Sequence, residues 1–347
     1  MLSPPSQLLL RNEALFATGK WAIVNPSDTA IFDALSDADV CGLHQQCDSY
    51  NRAKSNSYGH EHMFAAAFSK SDFDAVFDGV VVYLPKAKQH LDMLLANMAH
   101  LIKADGLLLV VGENKGGIKS VPKQLEKVGI NVNKIDSAKH CGLIACTVSE
   151  PAEGFDINQY GVVRNYHVNA QHMRVFSLPG VFGHKQFDQG TQLLLAQFSD
   201  ERELRQMRGK LYDFACGTGI IGAYFKLTNP KLNVTMSDIS ALAVYCAEQT
   251  LKLNELEAKV IASDGMQDIH QHFDHIVSNP PFHQGLKNEY GITQNFIKNA
   301  HAKSNKGSRL TMVANRFLPY PEHIQSTYHK YSTLIKTNKF CVYEGIK

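Results

Sequence analysis

The chain has 347 residues, of which 44% are hydrophobic and 20% charged, and its formal net charge is +2. Such a length exceeds one average domain, and the composition is ordinary for a soluble globular protein with real cores. The near-neutral balance excludes binding to nucleic acid through a global field, so any such affinity must come from local patches.

No apolar run reaches membrane-spanning length, and the opening MLSPPSQLLLRNEALF lacks the basic region and long apolar stretch of a signal peptide. A cytoplasmic protein with no membrane partner is expected. The seven cysteines are odd in number and scattered without CxxC spacing, so reduced, mostly buried thiols are expected, with neither a disulfide framework nor a zinc site.

In chain order, the first half places apolar runs at GKWAIVNP (19–26), FDGVVVYLPK (77–86) and DGLLLVVGENK (105–115). The polar, turn-rich SEPAEGFDINQYG, from Ser149 to Gly161, reads as a boundary, giving domains 1–155 and 162–347. Beyond it KLYDFACGTG ends a strand, IIGAYFKL opens a helix, NVTMSDIS is a strand, ALAVYCAEQTLKLN a helix and AKVIASD a strand. FDHIVSNPP is a further strand, NFIKNAHAKSN a helix and SRLTMVAN a strand, and STLIKTNKFCVYEG reads as two short strands around a turn. Strict alternation predicts a parallel, doubly wound α/β sheet with ligands at the carboxyl ends of its strands.

The halves echo each other. Phe77-Asp78 falls on Phe273-Asp274, Pro85 on Pro281, Gly106 on Gly307, Asn114 on Asn315, and GKWAIVNP on GKLYDFAC. A duplicated domain is predicted. The copies differ where chemistry would lie: NPSDTAIF replaces CGTGIIG, and Tyr83-Leu84 stand for Asn279-Pro280, so the first copy has lost its site.

DFACGTGIIG (213–222) is a strand, a Gly-x-Gly turn and a helix, where Gly217 and Gly219 let the backbone approach a ligand beside the positive end of a helix. Its spacing departs from GxGxxG, and Asp213 precedes the glycines where a pyrophosphate would want no acid. Asp238 ends the next strand, placed to accept ribose hydroxyls, and Asp264 ends the third, within reach of an adenine amino group. Each acid alone could simply cap a helix. Three at successive strand ends, without a phosphate-binding cluster, fit S-adenosylmethionine, with S-adenosylhomocysteine as product.

SNPPF closes the fourth strand beside the cofactor's methyl group. An exocyclic amine is a poor nucleophile because its lone pair is delocalised, and its two N–H donors need two fixed acceptors. The Asn279 side-chain carbonyl and the Pro280 backbone carbonyl can supply them, Pro281 adds rigidity, and Phe282 can stack on the base.

With LPGVFGHKQFDQGTQLLL (178–195), SNPPFH, VANRFLPYP (313–321), VVGENKGGIKS and IDSAKHCGL, the chain resembles the RsmC family of class I S-adenosylmethionine-dependent methyltransferases over nearly its whole length. The resemblance implies two tandem Rossmann-like methyltransferase domains from a duplication, the N-terminal one degenerate and serving RNA binding or structure. It implies methylation of the N2 amine of one guanine in 16S rRNA of the small ribosomal subunit. It places Asp213, Gly217 and Gly219 at the methionine part of the cofactor, Asp238 at the ribose, Asp264 near adenine, Asp188 and Thr191 over the cofactor, and Asn279 to Phe282 at the base. The chain departs from the family at Phe214-Ala215, where relatives commonly carry Leu-Gly. Rival readings are a 23S rRNA guanine-N2 methyltransferase of related build, DNA adenine or protein glutamine methyltransferases, and a noncatalytic RNA-binding assembly factor.

Lys115, Lys119, Lys123 and Lys127 recur every four residues, as on one helix face, although Pro122 and Gly116-Gly117 interrupt regular helix. Lys298, Lys303, Lys306, Arg309 and Arg316 form a second basic run. Both are candidate RNA contacts, and a solvated helix face is the ordinary alternative. The sixteen histidines, including HEH (60–62) and IHQHFDHI, present no convincing ligand set, so no metal is expected. A monomer is expected.

Overall fold

The computed structural model describes residues 2–56, 59–73, 76–281 and 286–347, with side chains in the last stretch from residue 294 onward. The chain divides into two compact units, Met1–Gly161 and Val162–Lys347.

In the first unit, apolar runs buried on both faces become the strands of a central sheet, which is the pattern of a sheet covered by helices on either side. The strands are β1 (Trp21–Val24), β2 (Val40–His44), β3 (His62–Phe64), β4 (Phe77–Tyr83), β5 (Ile102–Glu113), β6 (Ile130–Ala138) and β7 (Cys141–Val148), ordered β3-β2-β1-β4-β5-β7-β6. Its α-helices are α1 (Pro4–Leu10), α2 (Ala30–Ala34), α3 (Cys47–Ser55), α4 (Lys88–Leu101) and α5 (Pro122–Leu125).

The second unit opens with a hairpin, β8 (Val162–Val168) and β9 (Gln171–Ser177), then α6 (Gln189–Ala196) and α7 (Glu201–Gln206). There follow β10 (Lys210–Phe214), α8 (Ile220–Thr228), β11 (Asn233–Asp238), α9 (Ala241–Leu253), β12 (Lys259–Ala262), β13 (Phe273–Ser278), α10 (Leu286–Ala302), β14 (Ser304–Asn315), α11 (Tyr320–Thr327), β15 (Lys330–Lys336) and β16 (Phe340–Ile346). Its sheet runs β12-β11-β10-β13-β14-β16-β15, the same order as in the first unit. Two clusters pack the two faces, one around Tyr224, Phe225 and Leu211, the other around Tyr212, Phe273 and Ile276.

The expectation of a wholly parallel sheet is corrected at one edge. β16 runs antiparallel to both β14 and β15. The short turn between Lys336 and Phe340 permits only an antiparallel β15–β16 pair, because a parallel return needs a crossover of a dozen residues or more.

The duplication extends to single hydrogen bonds. Gly19 and Gly209 both adopt positive φ, 79° and 93°. Just after them the Lys20 and Lys210 amides each donate to a carboxylate, Asp78 and Asp274, at 2.8 Å. One part of the predicted alignment is corrected. Gly79 pairs with Leu107 and His275 with Arg309, so Leu107 corresponds to Arg309. Asp105 (φ 61°), and not Gly106, therefore falls on Gly307 (φ 78°), and Glu113, not Asn114, on Asn315. A slip of one residue exchanges the faces of a strand, and only the ladder reveals it.

All seven cysteines are free and buried. No described helix is long and apolar enough to cross a membrane.

Candidate active site

Strand β10 ends in a turn that passes through Ala215 (φ 56°), Gly217 (φ 55°) and Gly219 (φ 76°) into α8. Gly219 is required twice over, by its φ and because a Cβ there would lie 2.8 Å from that of Ala247. Ala215, where the resemblance leads to the expectation of a glycine, holds a left-handed conformation (φ 56°) that costs an L-residue about 1 kcal/mol. Ala215→Gly is therefore expected to raise the melting temperature of the second unit by about 1–4 °C, read by calorimetry.

The three strand-end acids do different work. Asp213 is fully buried, lies beneath the turn and does not line the cavity above it. One of its oxygens accepts from the Gly222 amide at 2.9 Å, tying β10 to α8, and the other has no hydrogen-bond partner. Burial pushes its carboxyl up to about 8, opposed by the Gly222 bond and reinforced by Asp238. Asp238 accepts from the Gly217 amide at 2.9 Å and the Ser240 amide at 3.0 Å, and burial likewise raises its carboxyl. Asp264 follows β12 and is half-buried at the same sheet edge.

Above the turn lies a cavity lined by Ala215 to Thr218, Asp188, Thr191, Asn279 and, from the hairpin and the segment after it, Arg164, Tyr166, Ser177, Phe182 and Phe187. The hairpin contribution was not expected from sequence; its signal was an arginine and a tyrosine alternating along an exposed strand, which does not distinguish a lining from a solvated face. Arg164 is half-buried, donates to Ser177 Oγ at 3.3 Å, and pairs with no described carboxylate. Cys216 also lines the cavity, but burial and the carboxylates Asp238 and Asp213 raise its thiol well above the ordinary value, so it is a neutral wall and not a nucleophile.

At the end of β13, Ser278 Oγ bonds the Phe214 carbonyl at 2.7 Å and locks the strand end beside the turn. The Asn279 amide nitrogen donates to Asp188 Oδ2 at 2.9 Å and to Thr191 Oγ1 at 2.8 Å. Asp188 caps α6, accepting also from the Thr191 amide at 2.8 Å. With both N–H donors committed, the Asn279 side chain can offer a ligand only its carbonyl oxygen. Pro280 is buried and Pro281 exposed, whereas Phe282 lies outside the described residues. Asp188 and Thr191, expected over the cofactor, thus border the cavity and at the same time orient Asn279.

The first unit carries the counterpart of this cluster, closed off. Val24 pairs with Val82 as Phe214 pairs with Ser278, so Tyr83 corresponds to Asn279. Its hydroxyl and Ser6 Oγ share a hydrogen bond of 2.8 Å, and Ser6 Oγ donates to Asp28 at 2.7 Å. Helix α1 packs on β5 and β7 as α6 packs on β14 and β16. Their sequences also match, SPPSQLLL (3–10) against DQGTQLLL (188–195), a repeat the sequence reading passed over. A buried phenol has replaced the carbonyl acceptor, and no glycine turn stands beside it.

The basic residues are only partly as expected. Lys115, Lys119, Lys123 and Lys127 are exposed but share no helix face, because two 3-10 turns, Gly117 (φ 98°) and Pro122 break the segment. Lys127 is paired with Asp92 at 2.8 Å. Arg309 lies 3.7 Å from Glu344, and Arg316 is exposed just past β14. Among the described residues no group of three His, Cys, Asp or Glu could hold a metal ion.

A family model of the methyltransferase small domain matches residues 172–344, and a model of its N-terminal domain matches 6–164. Ribosomal RNA small subunit methyltransferase C of Pseudoalteromonas atlantica is 46% identical over 347 residues, 99% of both chains. The protein of the same name from Alteromonas mediterranea is 40% identical over 99% of each. Among solved structures, the 16S rRNA N2 methyltransferase RsmC of T. thermophilus, determined with AdoMet and guanosine, shares the fold with a TM-score of 0.83 at 20% identity, covering 99% of this chain and 92% of that one.

Proposed function

This chain belongs to the ribosomal RNA small subunit methyltransferase C family of S-adenosylmethionine-dependent enzymes, and on that premise we propose that it methylates the exocyclic N2 amine of one guanine in 16S rRNA of the small ribosomal subunit. The observation that carries the reading is the Asn279 amide, whose nitrogen is held by Asp188 and Thr191 so that its carbonyl faces any ligand at the strand end. The names of the full-length relatives support the ribosomal substrate, and the T. thermophilus protein of the same fold is named for N2 of 16S rRNA.

The cavity fits the cofactor by its chemistry. Arg164 offers a cation for a carboxylate and the glycine turn leaves room for close backbone approach. The acids at the ends of β11 and β12 stand outside this lining, along the same end of the sheet, as acceptors for the hydroxyl and amino groups of a cofactor that extends past the turn. Bound there, S-adenosylmethionine supplies an electrophilic methyl group on a sulfonium and leaves as S-adenosylhomocysteine. Asn279 Oδ1 and the Pro280 carbonyl accept the two N–H bonds of the target amine, turning its lone pair toward the methyl group. Preorganised acceptors of this kind favour the transition state, because charge develops on the nitrogen as it attacks. The methylated nitrogen is acidic and gives its proton to water, so no strong base is needed. Asp213 acts beneath the turn, through the Gly222 amide, while Asp238 holds the Gly217 amide. The first unit, with buried Tyr83 in place of Asn279 and no glycine turn beside it, serves RNA binding or support.

Arg164→Gln is expected to weaken S-adenosylhomocysteine binding by about 10- to 100-fold, the worth of one charge-assisted hydrogen bond. Binding of 5′-methylthioadenosine, which lacks the carboxylate, should stay unchanged, and calorimetry compares the two. In the cell, deletion of the gene should remove one N2-methylguanosine from 16S rRNA, measured by nucleoside mass spectrometry, and a plasmid copy should restore it. Loss of a 23S nucleoside in its place would favour the large-subunit reading.

A further inference from the structure

Phe317, on the loop between β14 and α11, is 74% exposed, more than any other large apolar side chain among the described residues. Burial energetics give no reason to leave a phenyl ring in water. Its surroundings are basic. Arg316 is exposed beside it, and the Arg316 amide donates to the Lys339 carbonyl at 2.9 Å, which brings exposed Lys339 to the same edge. The Lys339 ammonium lies 4.9 Å from the centre of the Phe340 ring. Neither Arg316 nor Lys339 pairs with a described carboxylate.

This edge adjoins the site. Phe340 pairs with Asn315, the last residue of β14. A Cβ placed on Gly190 would lie 3.4 Å from Phe340 Cε1 and 3.6 Å from Asn279 Nδ2, so the Phe340 ring and the Asn279 amide flank one glycine. An exposed aromatic ring on an edge that also carries two cations without a described carboxylate partner, near the carbonyl proposed to bind the amine, matches what a single nucleic-acid strand presents: a flat base and the phosphates on either side of it. A protein partner would ask for a broader apolar patch than one ring.

We propose that Phe317, Arg316 and Lys339 form a docking lip for the RNA strand next to the target guanine, with Phe317 stacking on a neighbouring unpaired base and the two cations holding its phosphates. The proposal rests on the RNA methyltransferase reading and adds how the substrate strand is held.

The test measures binding of a labelled single-stranded 16S fragment by anisotropy, separately from turnover on small subunits. Phe317→Ala should raise both the fragment Kd and the subunit KM by about tenfold, leave kcat and cofactor affinity within about twofold, and be rescued by Phe317→Trp. Arg316→Gln and Lys339→Gln should each make binding less salt-dependent, lowering the slope of log K against log salt by about 1. A Phe317→Ala protein with wild-type Kd and KM, or Arg316→Gln and Lys339→Gln proteins with the wild-type salt slope, overturns the lip while leaving the reaction intact. A raised subunit KM without any change in fragment binding points to a ribosomal protein contact and also overturns it. A wild-type protein that neither binds nor methylates RNA overturns the lip and the functional reading together.

Discussion

Asn279→Ala is expected to cut methyl transfer by about 10²- to 10³-fold while cofactor affinity stays within a few-fold, the loss typical of removing one preorganised group at a developing charge. The substitution removes the carbonyl that accepts from the target amine. It leaves the glycine turn, Asp213 and Asp238 in place, since none of their hydrogen bonds involves Asn279. A graded companion series separates orientation from presence. Thr191→Val removes one of the two acceptors on the Asn279 nitrogen, loosens the amide, and should cost about 3- to 10-fold in kcat, whereas Thr191→Ser keeps the hydroxyl and should behave as wild type. Turnover of Asn279→Ala at the wild-type rate would remove the amide from the mechanism. An equal loss in Thr191→Ser would mean that the methyl packing of Thr191, and not its hydrogen bond, matters.

Two sets of buried groups should make stability depend on pH with opposite sign, Asp213 in the second unit and two histidines in the first. Burial holds the Asp213 carboxyl at about 8, above its unfolded value, so the folded state keeps a proton that the unfolded chain has released. That contribution is complete below the ordinary carboxylate range and is lost as pH rises toward 8, a loss on the order of a few kcal/mol. The buried histidines of the first unit act the other way. Burial pushes His44 down to about 3, with His62 adding to the effect, and His90 down to about 4. His44 Nε2 meets His62 Nδ1 at 3.2 Å, and His90 meets Gln45 Oε1 at 2.8 Å. A depressed histidine stabilises the fold above its unfolded value near 6.5, and that contribution is lost as pH falls toward 4. In the second unit burial also depresses His184, His275 and His301, which adds an acid loss there, so unfolding of the full chain from pH 5 to 9 should show both units weakening in acid and the second unit alone carrying the Asp213 loss in base. Asp213→Asn keeps an acceptor for the Gly222 amide without needing a proton, and should flatten the alkaline slope. An unchanged slope in that variant would show that Asp213 is ionised in the folded protein.

Most of the second unit was legible because its signals are local. The Gly-x-Gly turn, the alternation of strand and helix, and the two prolines after Ser278 each act within a few residues, and β10 through β14 follow from them. The antiparallel edge was hidden by the same local view, since two short strands around a turn do not announce the direction of their neighbour. The one-residue slip between Gly106 and Asp105 escaped because aligned glycines look alike in print, while the ladder pairs residues by face. Legibility also failed for partnership at long range. Nothing near position 279 indicates that residues 188 and 191 clasp it, yet that clasp turns an amide of two possible orientations into a fixed acceptor. The lysine stripe shows the converse: periodicity of four suggested one helix face, but Gly117 and Pro122 decided the backbone.

The central claim is tested most directly by methyl transfer from labelled S-adenosylmethionine to purified small subunits, large subunits and free rRNA, followed by nuclease digestion to nucleosides. The account predicts label in the small-subunit rRNA, recovered as N2-methylguanosine and absent when Asn279→Ala replaces the wild type. Label in another nucleoside, in 23S rRNA, or in no RNA at all would contradict it.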